Sequence, residues 1–427
     1  TRKESSAASD VYKRQVYNRC YNFSRRIMMM TTSSKHLSKI LIVILGVMTA
    51  FGPLTIDMYG PSLPKVQHAF GSSISEIQLT LSFAMIGLAI GQFVFGPLSD
   101  VLGRKKMALI LLIGYLIASL LSVFTVHLTI FLIIRLIQGL AGGGAIVIAK
   151  ASIGDNYDGD ELAKFLTSLM VINGIITIIA PLLGGLALSI ASWRMIFIFL
   201  TIITLIVILG ILLKMPVGLH QEQSQLKFKA IFKDFGLLLT RPTFVIPMLL
   251  QGLTYVMLFS YSSAAPFISQ KMYHMTPLQY SAMFAINGVG LIVVSQITAI
   301  IVEKISRYTM LIYLTIIQML GVVILIFTLT LHLPLYVLLI GFFINICPVT
   351  SIAPLCFSMA MAERTGGSGN ASSLLGLFQF ILGGLISPLV GLNGQHDMSP
   401  YLIIISATAV LLIALQIIYF KLFMKKT

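Results

Sequence analysis

ISEIQLTLSFAMIGLAIGQFVFGPLSDVLGRKKMALILLIGYLIASLLSVF, residues 74–124, decides the fold. Two apolar runs, 74–97 and 105–124, flank a short turn built from glycine, one acid and three consecutive basic residues. A helix of about 20 apolar residues spans the roughly 30 Å of bilayer hydrocarbon. The runs are continuous rather than alternating, and in lipid only helices and closed barrels satisfy every backbone polar group, so each run reads as a membrane helix. Comparable runs recur along all 427 residues, of which 57% are hydrophobic and 10% charged, with a mean hydropathy of +0.96. No polar surface can cover such a chain, which excludes a soluble globular domain. Outward from the quoted pair, the spans are predicted near 37–59, 74–97, 105–124, 128–150, 162–188 and 192–214. They continue near 243–265, 277–301, 308–330, 334–360, 370–392 and 401–423.

A net charge of +15 raises the question of nucleic acid, and its distribution answers it. Arg2, Lys3, Lys13, Arg14, Arg19, Arg25 and Arg26 fall in a stretch with no apolar core, which is therefore no signal peptide. Residues 1–27 are expected to be a non-native or disordered leader, with the natural start near Met28 to Met30. With the N-terminus cytoplasmic, the inner loops collect Arg104, Lys105, Lys106, Lys164, Lys214, Lys227, Lys229, Lys233, Arg241, Lys304, Arg307, Arg364, Lys421, Lys425 and Lys426. The outer loops then hold only Lys65, Arg194 and Lys271, an asymmetry that predicts both termini inside and no nucleic-acid partner. The longest polar stretch, 215–242, reads as a cytoplasmic linker between an N-terminal half, 28–214, and a C-terminal half, 243–427. Pro61 to Gln92 and Pro266 to Gln296 echo each other, as repeated halves of an alternating-access carrier would. Cys20, Cys347 and Cys356 show no paired spacing, so neither a disulfide framework nor a metal site is expected. No G-x-x-x-x-G-K-[ST] phosphate loop is present, which argues against ATP drive.

Ionisable groups inside spans are costly, which makes the few present informative. In the turn after the second span, Gly96 and Gly103 permit a tight reversal, and Asp100 and Arg104 are close enough to pair. The other reading of Arg104 to Lys106 is a topogenic basic loop. Arg135, in Arg135-Leu-Ile-Gln-Gly139, cannot lose its proton and must find acceptors, either as a functional cation or as a clamp on backbone carbonyls or Gln138. Asp57, in Gly52-Pro-Leu-Thr-Ile-Asp-Met-Tyr-Gly-Pro61, sits near the outer end of the first predicted span. A carboxylate there that exchanges water for substrate or cation contact alternates between protonation states, and the alternative is a permanently wet helix-end acid. Lys150 reads as snorkelling to headgroups, with a cavity-lining role as the other possibility. Pro181, Gly184 and Gly185 allow a bend and close helix approach in the fifth span. Tyr59, Gln78, Asn173, Tyr255, Tyr261 and Gln379 are nominated with Asp57 for a substrate cavity, because amphipathic groups within spans turn away from lipid.

Gly96-Pro-Leu-Ser-Asp-Val-Leu-Gly-Arg-Lys-Lys106 resembles the major facilitator superfamily signature G-x-L-[SA]-D-[RK]-x-G-R-[RK], departing where Val101 replaces a basic residue. The Arg135 segment looks like that family's arginine motif. Pro181, Gly184 and Gly185 are similar to the end of its antiporter signature G-x-x-x-G-P-x-x-G-G, in which Ile176 and Ala180 replace the first two glycines. The Asp57 segment, Gly341-Phe-Phe-Ile-Asn-Ile-Cys-Pro348 and Gly369-Asn-Ala-Ser-Ser-Leu-Leu-Gly-Leu-Phe-Gln379 resemble the Bcr/CflA-type drug:proton antiporters. The resemblance covers about 37–423 and implies an all-α major facilitator fold, with twelve transmembrane helices in two six-helix halves around a central cavity. It further implies proton-coupled efflux of lipophilic or amphipathic, drug-like molecules from a bacterial inner membrane, with no cofactor beyond the proton gradient, by a monomer in the lipid bilayer. Asp57 and Arg135 would couple protons, while Gly96, Asp100, Gly103, Arg104 and Asp155 would form a cytoplasmic latch. Asp100 would also face the eleventh helix near Gly369 and Asn370. The counterpart turn, Glu303 to Tyr308, has lost the signature, so the latch is expected in the first half only. An exporter of a metabolite such as an amino acid, nucleoside or sugar keeps the same fold. A non-transporting sensor or scaffold is the alternative of a different class, and no nucleophile–base pair or ligand cluster suggests an enzyme.

Overall fold

The computed structural model describes residues 37–157, 159–216, 228–302, 304–362, 368–393 and 397–424. The predicted leader and residues 217–227 of the predicted linker lie outside them, as do Glu303, Arg364, Lys425 and Lys426. Among the described residues the chain is helical, without a strand. Eleven helices are long and apolar enough to cross a membrane, and one bent pair, Lys39–Thr49 with Phe51–Phe70, makes the twelfth span.

That first span corrects the sequence reading, which ended it at residue 59. Pro61 and Pro64 do not stop it. Each falls in the first turn of a short helical piece, Gly60–Ser62 or Leu63–Phe70, where a missing N–H is no loss. The chain therefore runs on to Gly71, whose φ of +61° caps the last turn. Asp57 is left at the unwound junction after Phe51–Ile56, in mid-span rather than at an end. The tenth span is likewise interrupted, with Leu335–Ile346 and Val349–Ala362 on either side of Cys347 and Pro348. The other spans match expectation within a few residues: Ile74–Leu102, Arg104–Phe124, Leu128–Gly154, Gly159–Ile190, Arg194–Lys214, Pro242–Phe267, Pro277–Ile301, Arg307–Thr330, Ser368–Ile386 and Ser399–Tyr419. In the linker, Phe228–Leu239 is a further short helix.

Packing orders each half in the same way. The second, fourth, first and fifth spans stand in a row, with the third and sixth behind them. The eighth, tenth, seventh and eleventh form the matching row before the ninth and twelfth. The tightest seam joins the second and fourth spans. A Cβ added at Gly139 would lie 2.1 Å from the Ala84 carbonyl oxygen, at Gly143 2.2 Å from that of Leu88, and at Gly91 2.2 Å from that of Leu140. Backbone here lies on backbone, the close approach that small residues permit between membrane helices.

The halves meet where the second span touches the eleventh and the fifth touches the eighth. Four hydrogen bonds across this boundary gather toward the end remote from the Arg104 turn. Ser75 Oγ donates to the Pro388 carbonyl at 2.8 Å and Gln78 Nε2 to that of Ser263 at 3.1 Å. Gln270 Nε2 donates to the Pro61 carbonyl at 3.0 Å and Lys271 Nζ to Gln67 Oε1 at 2.5 Å.

Candidate functional site

The helix break at residues 57–59 sets up the site. The Asp57 N–H folds back to the Pro53 carbonyl at 2.7 Å and that of Met58 to the same oxygen at 3.3 Å, so the regular ladder ends there. Arg135, wholly buried on the fourth span, reaches the carbonyl that the break leaves available: its Nη2 donates to Thr55 O at 2.7 Å. Nη1 donates to Gln138 Oε1 at 2.6 Å and Nε to Thr80 O at 3.4 Å, while the guanidinium carbon stands 4.6 Å from the centre of the Tyr59 ring. Gln138 is held in turn by donating to Ser119 Oγ at 2.8 Å, and Tyr115 shares a 2.8 Å hydroxyl contact with Thr55. Arg135 thus ties the first, second and fourth spans through neutral acceptors and makes no ion pair with Asp57. It satisfies the buried-charge requirement with oriented carbonyl and amide dipoles.

Asp57 is half-buried, and no hydrogen bond or ion pair to its carboxylate occurs among the described residues. The Gly60–Ser62 piece that follows the break packs on the seventh and eighth spans, so the Asp57 junction lies at the boundary between the halves. Tyr261 Oη accepts from Asn287 Nδ2 at 2.7 Å, whereas the buried hydroxyls of Tyr280 and Tyr401 have no hydrogen-bond partner among the described residues. Tyr280 also approaches the break itself, 3.6 Å from where a Cβ on Gly60 would stand. Neither Tyr280 nor Asn287 was singled out in the sequence. The polar-in-span rule that selected Tyr261 applies equally to both, but no motif marks them.

Fifth-span glycines complete the surroundings of Asp57. A Cβ on Gly184 would fall 2.1 Å from the Met58 carbonyl, and one on Gly185 2.3 Å from Ser281 Oγ in the other half. Pro181, one turn earlier, lies inside the same helix.

The nominated cavity residues scatter. Tyr59 is a correction: it is fully buried in the first half between Arg135, Phe131 and Phe197, because its ring is the face on which the guanidinium rests. Gln78 joins the cross-boundary bonds already described. Asn173 Nδ2 donates to the Thr49 carbonyl at 2.7 Å, tying the fifth span to the first. Tyr255 stacks on Phe259 at 5.8 Å, and Gln379 Oε1 accepts from Gln251 Nε2 at 3.0 Å, both within the second half. Lys150 is exposed in the last turns of the fourth span, four residues beyond Ile146 and three beyond Val147.

At the opposite end the turn residues assemble. Arg104 pairs with Asp100 and grips Asp155 with two bonds, Nε to Oδ2 at 2.8 Å and Nη2 to Oδ1 at 3.4 Å. Its Nη1 donates to Ser99 Oγ at 2.5 Å. Gly103, at φ +90°, makes the reversal, and a Cβ on Gly96 would lie 3.3 Å from Val147. This triad joins the second, third and fourth spans within one half. The side chains at Gly369 and Asn370, its expected second-half neighbours, lie outside the described residues. Among the described residues no cluster of three or more metal-ligating side chains occurs.

The family model described as the Major Facilitator Superfamily matches residues 45–388. An uncharacterised MFS-type transporter, YdgK of Bacillus subtilis (strain 168), is 34% identical over 357 residues, covering 82% of this chain and 88% of that protein. A bicyclomycin resistance protein homologue of Haemophilus influenzae is 26% identical, covering 87% of this chain and 94% of its own. Among solved structures, a D-xylose–proton symporter superposes with a TM-score of 0.71 at 17% identity, covering 87% of this chain and 96% of the symporter.

Proposed function

The chain belongs to the major facilitator superfamily, and from that premise we propose that it exports lipophilic or amphipathic small molecules, antibiotics among them, in exchange for protons. Asp57 carries the reading. It is the one acid in the interior of the described spans, it sits at a helix break that lies against the other half, and it lacks a counter-ion among the described residues. Such a group has two protonation states open to it, and which one prevails depends on what the boundary between the halves presents. In this scheme substrate and proton compete for the same face, so loading one displaces the other. Arg135 acts on Asp57 indirectly, by holding the Thr55 carbonyl and so fixing the break.

Alternating access supplies the movement. Bonding between the halves gathered at one end, with the Arg104–Asp155 grip intact inside one half at the other, supports a carrier whose termini-bearing end is open. Release of Asp100 and Asp155 from Arg104, or their recruitment by the eleventh helix, would accompany the reverse state. The loop charges support placement in a bacterial inner membrane with both termini cytoplasmic. The relative named for bicyclomycin resistance supports the substrate class.

The reading is tested in energised vesicles containing the full chain. Addition of a transported drug should release protons, and Asp57→Asn, inserted at the normal level, should abolish that release. Drug-dependent proton flux that persists in Asp57→Asn would remove the residue from the coupling step.

A further inference from the structure

Lys150 carries a charge that no described side chain of the first half pairs with. Among the described residues it has neither a hydrogen bond nor an ion-pair partner, and it is exposed although it lies within the fourth span. Its direction follows from its neighbours. Ile146 packs on Gly52 of the first span and Val147 on Gly96 of the second. Lys150 stands four residues beyond one and three beyond the other, so it continues the strip of helix surface between those two contacts. The third span covers the opposite side, where Leu111 meets Gly144 and Gly114 meets Ala141. In a row ordered second, fourth, first and fifth, the strip opposite the third span is the one that faces the other half.

The ammonium is therefore water-reached, inside the protein, and about 22 Å along the helix from Arg135, fifteen residues away. Asp57 lies near the Arg135 level, too far to neutralise it. The described spans of the second half contribute no acid to the facing wall. An unpaired cation in a low-dielectric cleft concentrates field lines and draws anions. A long amine on this side cannot reach headgroups in the way that a lipid-facing one does.

We infer that Lys150 is a substrate-selecting residue, which binds the negatively charged end of an amphipathic substrate, a carboxylate or comparable anion, as it enters from the termini-bearing end. The inference rests on the export reading for the direction of travel but not for the binding itself. The apolar body of the same molecule would extend toward the aromatic second-half wall at Tyr255 and Phe259.

The test uses the purified full-length chain and three dansyl-tagged probes of equal chain length: a carboxylate, its methyl ester and a trimethylammonium analogue. Wild type should prefer the carboxylate. Lys150→Gln should weaken carboxylate binding about tenfold, the loss expected for one charge-assisted bond, with ester binding unchanged. Lys150→Arg should restore it, and Lys150→Glu should favour the trimethylammonium probe. An unchanged carboxylate-to-trimethylammonium ratio in Lys150→Gln overturns the assignment. Should that variant fail to fold, wild type alone decides: carboxylate binding must weaken with added salt while ester binding does not, and equal affinity for both probes refutes the inference. Lys150-dependent binding without transport in vesicles would uphold the binding site and sink the export reading.

Discussion

Replacing Gly184 by alanine places one methyl group against the backbone beside Asp57. The added Cβ would stand 2.1 Å from the Met58 carbonyl oxygen. An ordinary carbon–oxygen contact needs about 3.2 Å, so the fifth and first spans must separate by roughly 1 Å. A carbonyl cannot swing aside as a flexible side chain does, and the neighbouring Gly185 seam on Ser281 restrains the fifth span from the other side. Overpacking of this kind costs about 1–3 kcal/mol. Alanine also favours a helix over glycine by about 0.5–1 kcal/mol, which must be removed from the comparison. Gly174 supplies the control, on the same helix and with the same substitution. Its nearest obstacle is Ile292 Cδ1 at 3.5 Å, an ordinary contact. Equilibrium unfolding of both variants in mixed micelles should therefore place Gly184→Ala about 1–3 kcal/mol below Gly174→Ala, and drug-driven proton release should fall only in the former. Equal stability of the two would refute the close-packing account of the Asp57 surroundings.

Asp100→Asn should slow conformational cycling while leaving membrane insertion and the Arg104–Asp155 bond in place; because Asp100 is partly exposed, the accompanying loss of stability should stay within about 1 kcal/mol, read by unfolding in detergent. Arg135→Lys keeps the charge but cannot hold Thr55 O, Thr80 O and Gln138 together, so it should lose about 1.5–3 kcal/mol and most transport; wild-type stability in that variant would argue against the clamp. Lys271→Met removes one bond across the boundary and should raise the alkylation rate of a cysteine placed at Ser263 about fivefold, the shift expected from roughly 1 kcal/mol between two states. An unaltered alkylation rate would separate that bond from closure of the remote end.

Much of this was legible in the residues. Continuous apolar runs and the one-sided distribution of Lys and Arg define the spans, because hydrocarbon thickness and unsatisfied backbone groups leave few alternatives. The Asp100–Arg104 pair was foreseeable, since a glycine-bounded turn holds the two within reach, whereas Asp155, at the end of the fourth span, was implied only by the family resemblance. Asp57 was harder. Proline usually marks an end, and only the three-dimensional arrangement shows Pro61 and Pro64 opening new helical turns and carrying the span onward. Tyr59 was misplaced for a related reason: the break rotates it toward Arg135, and no periodicity survives a break. The direction of Lys150 depends on which helices flank the fourth span, a non-local fact absent from its own surroundings in the chain.

The glycine seam between the second and fourth spans also limits what this protein can do when it moves. Where main chain rests directly on main chain, no rotamer can flip to absorb sliding, and a shift of even half an ångström meets hard repulsion. Those two helices must travel as a single lever arm. On the proposed alternating-access reading, flexing would fall where the ladder is already cut, at residues 57–59 and at Cys347–Pro348, so that the two interrupted spans would serve as hinges.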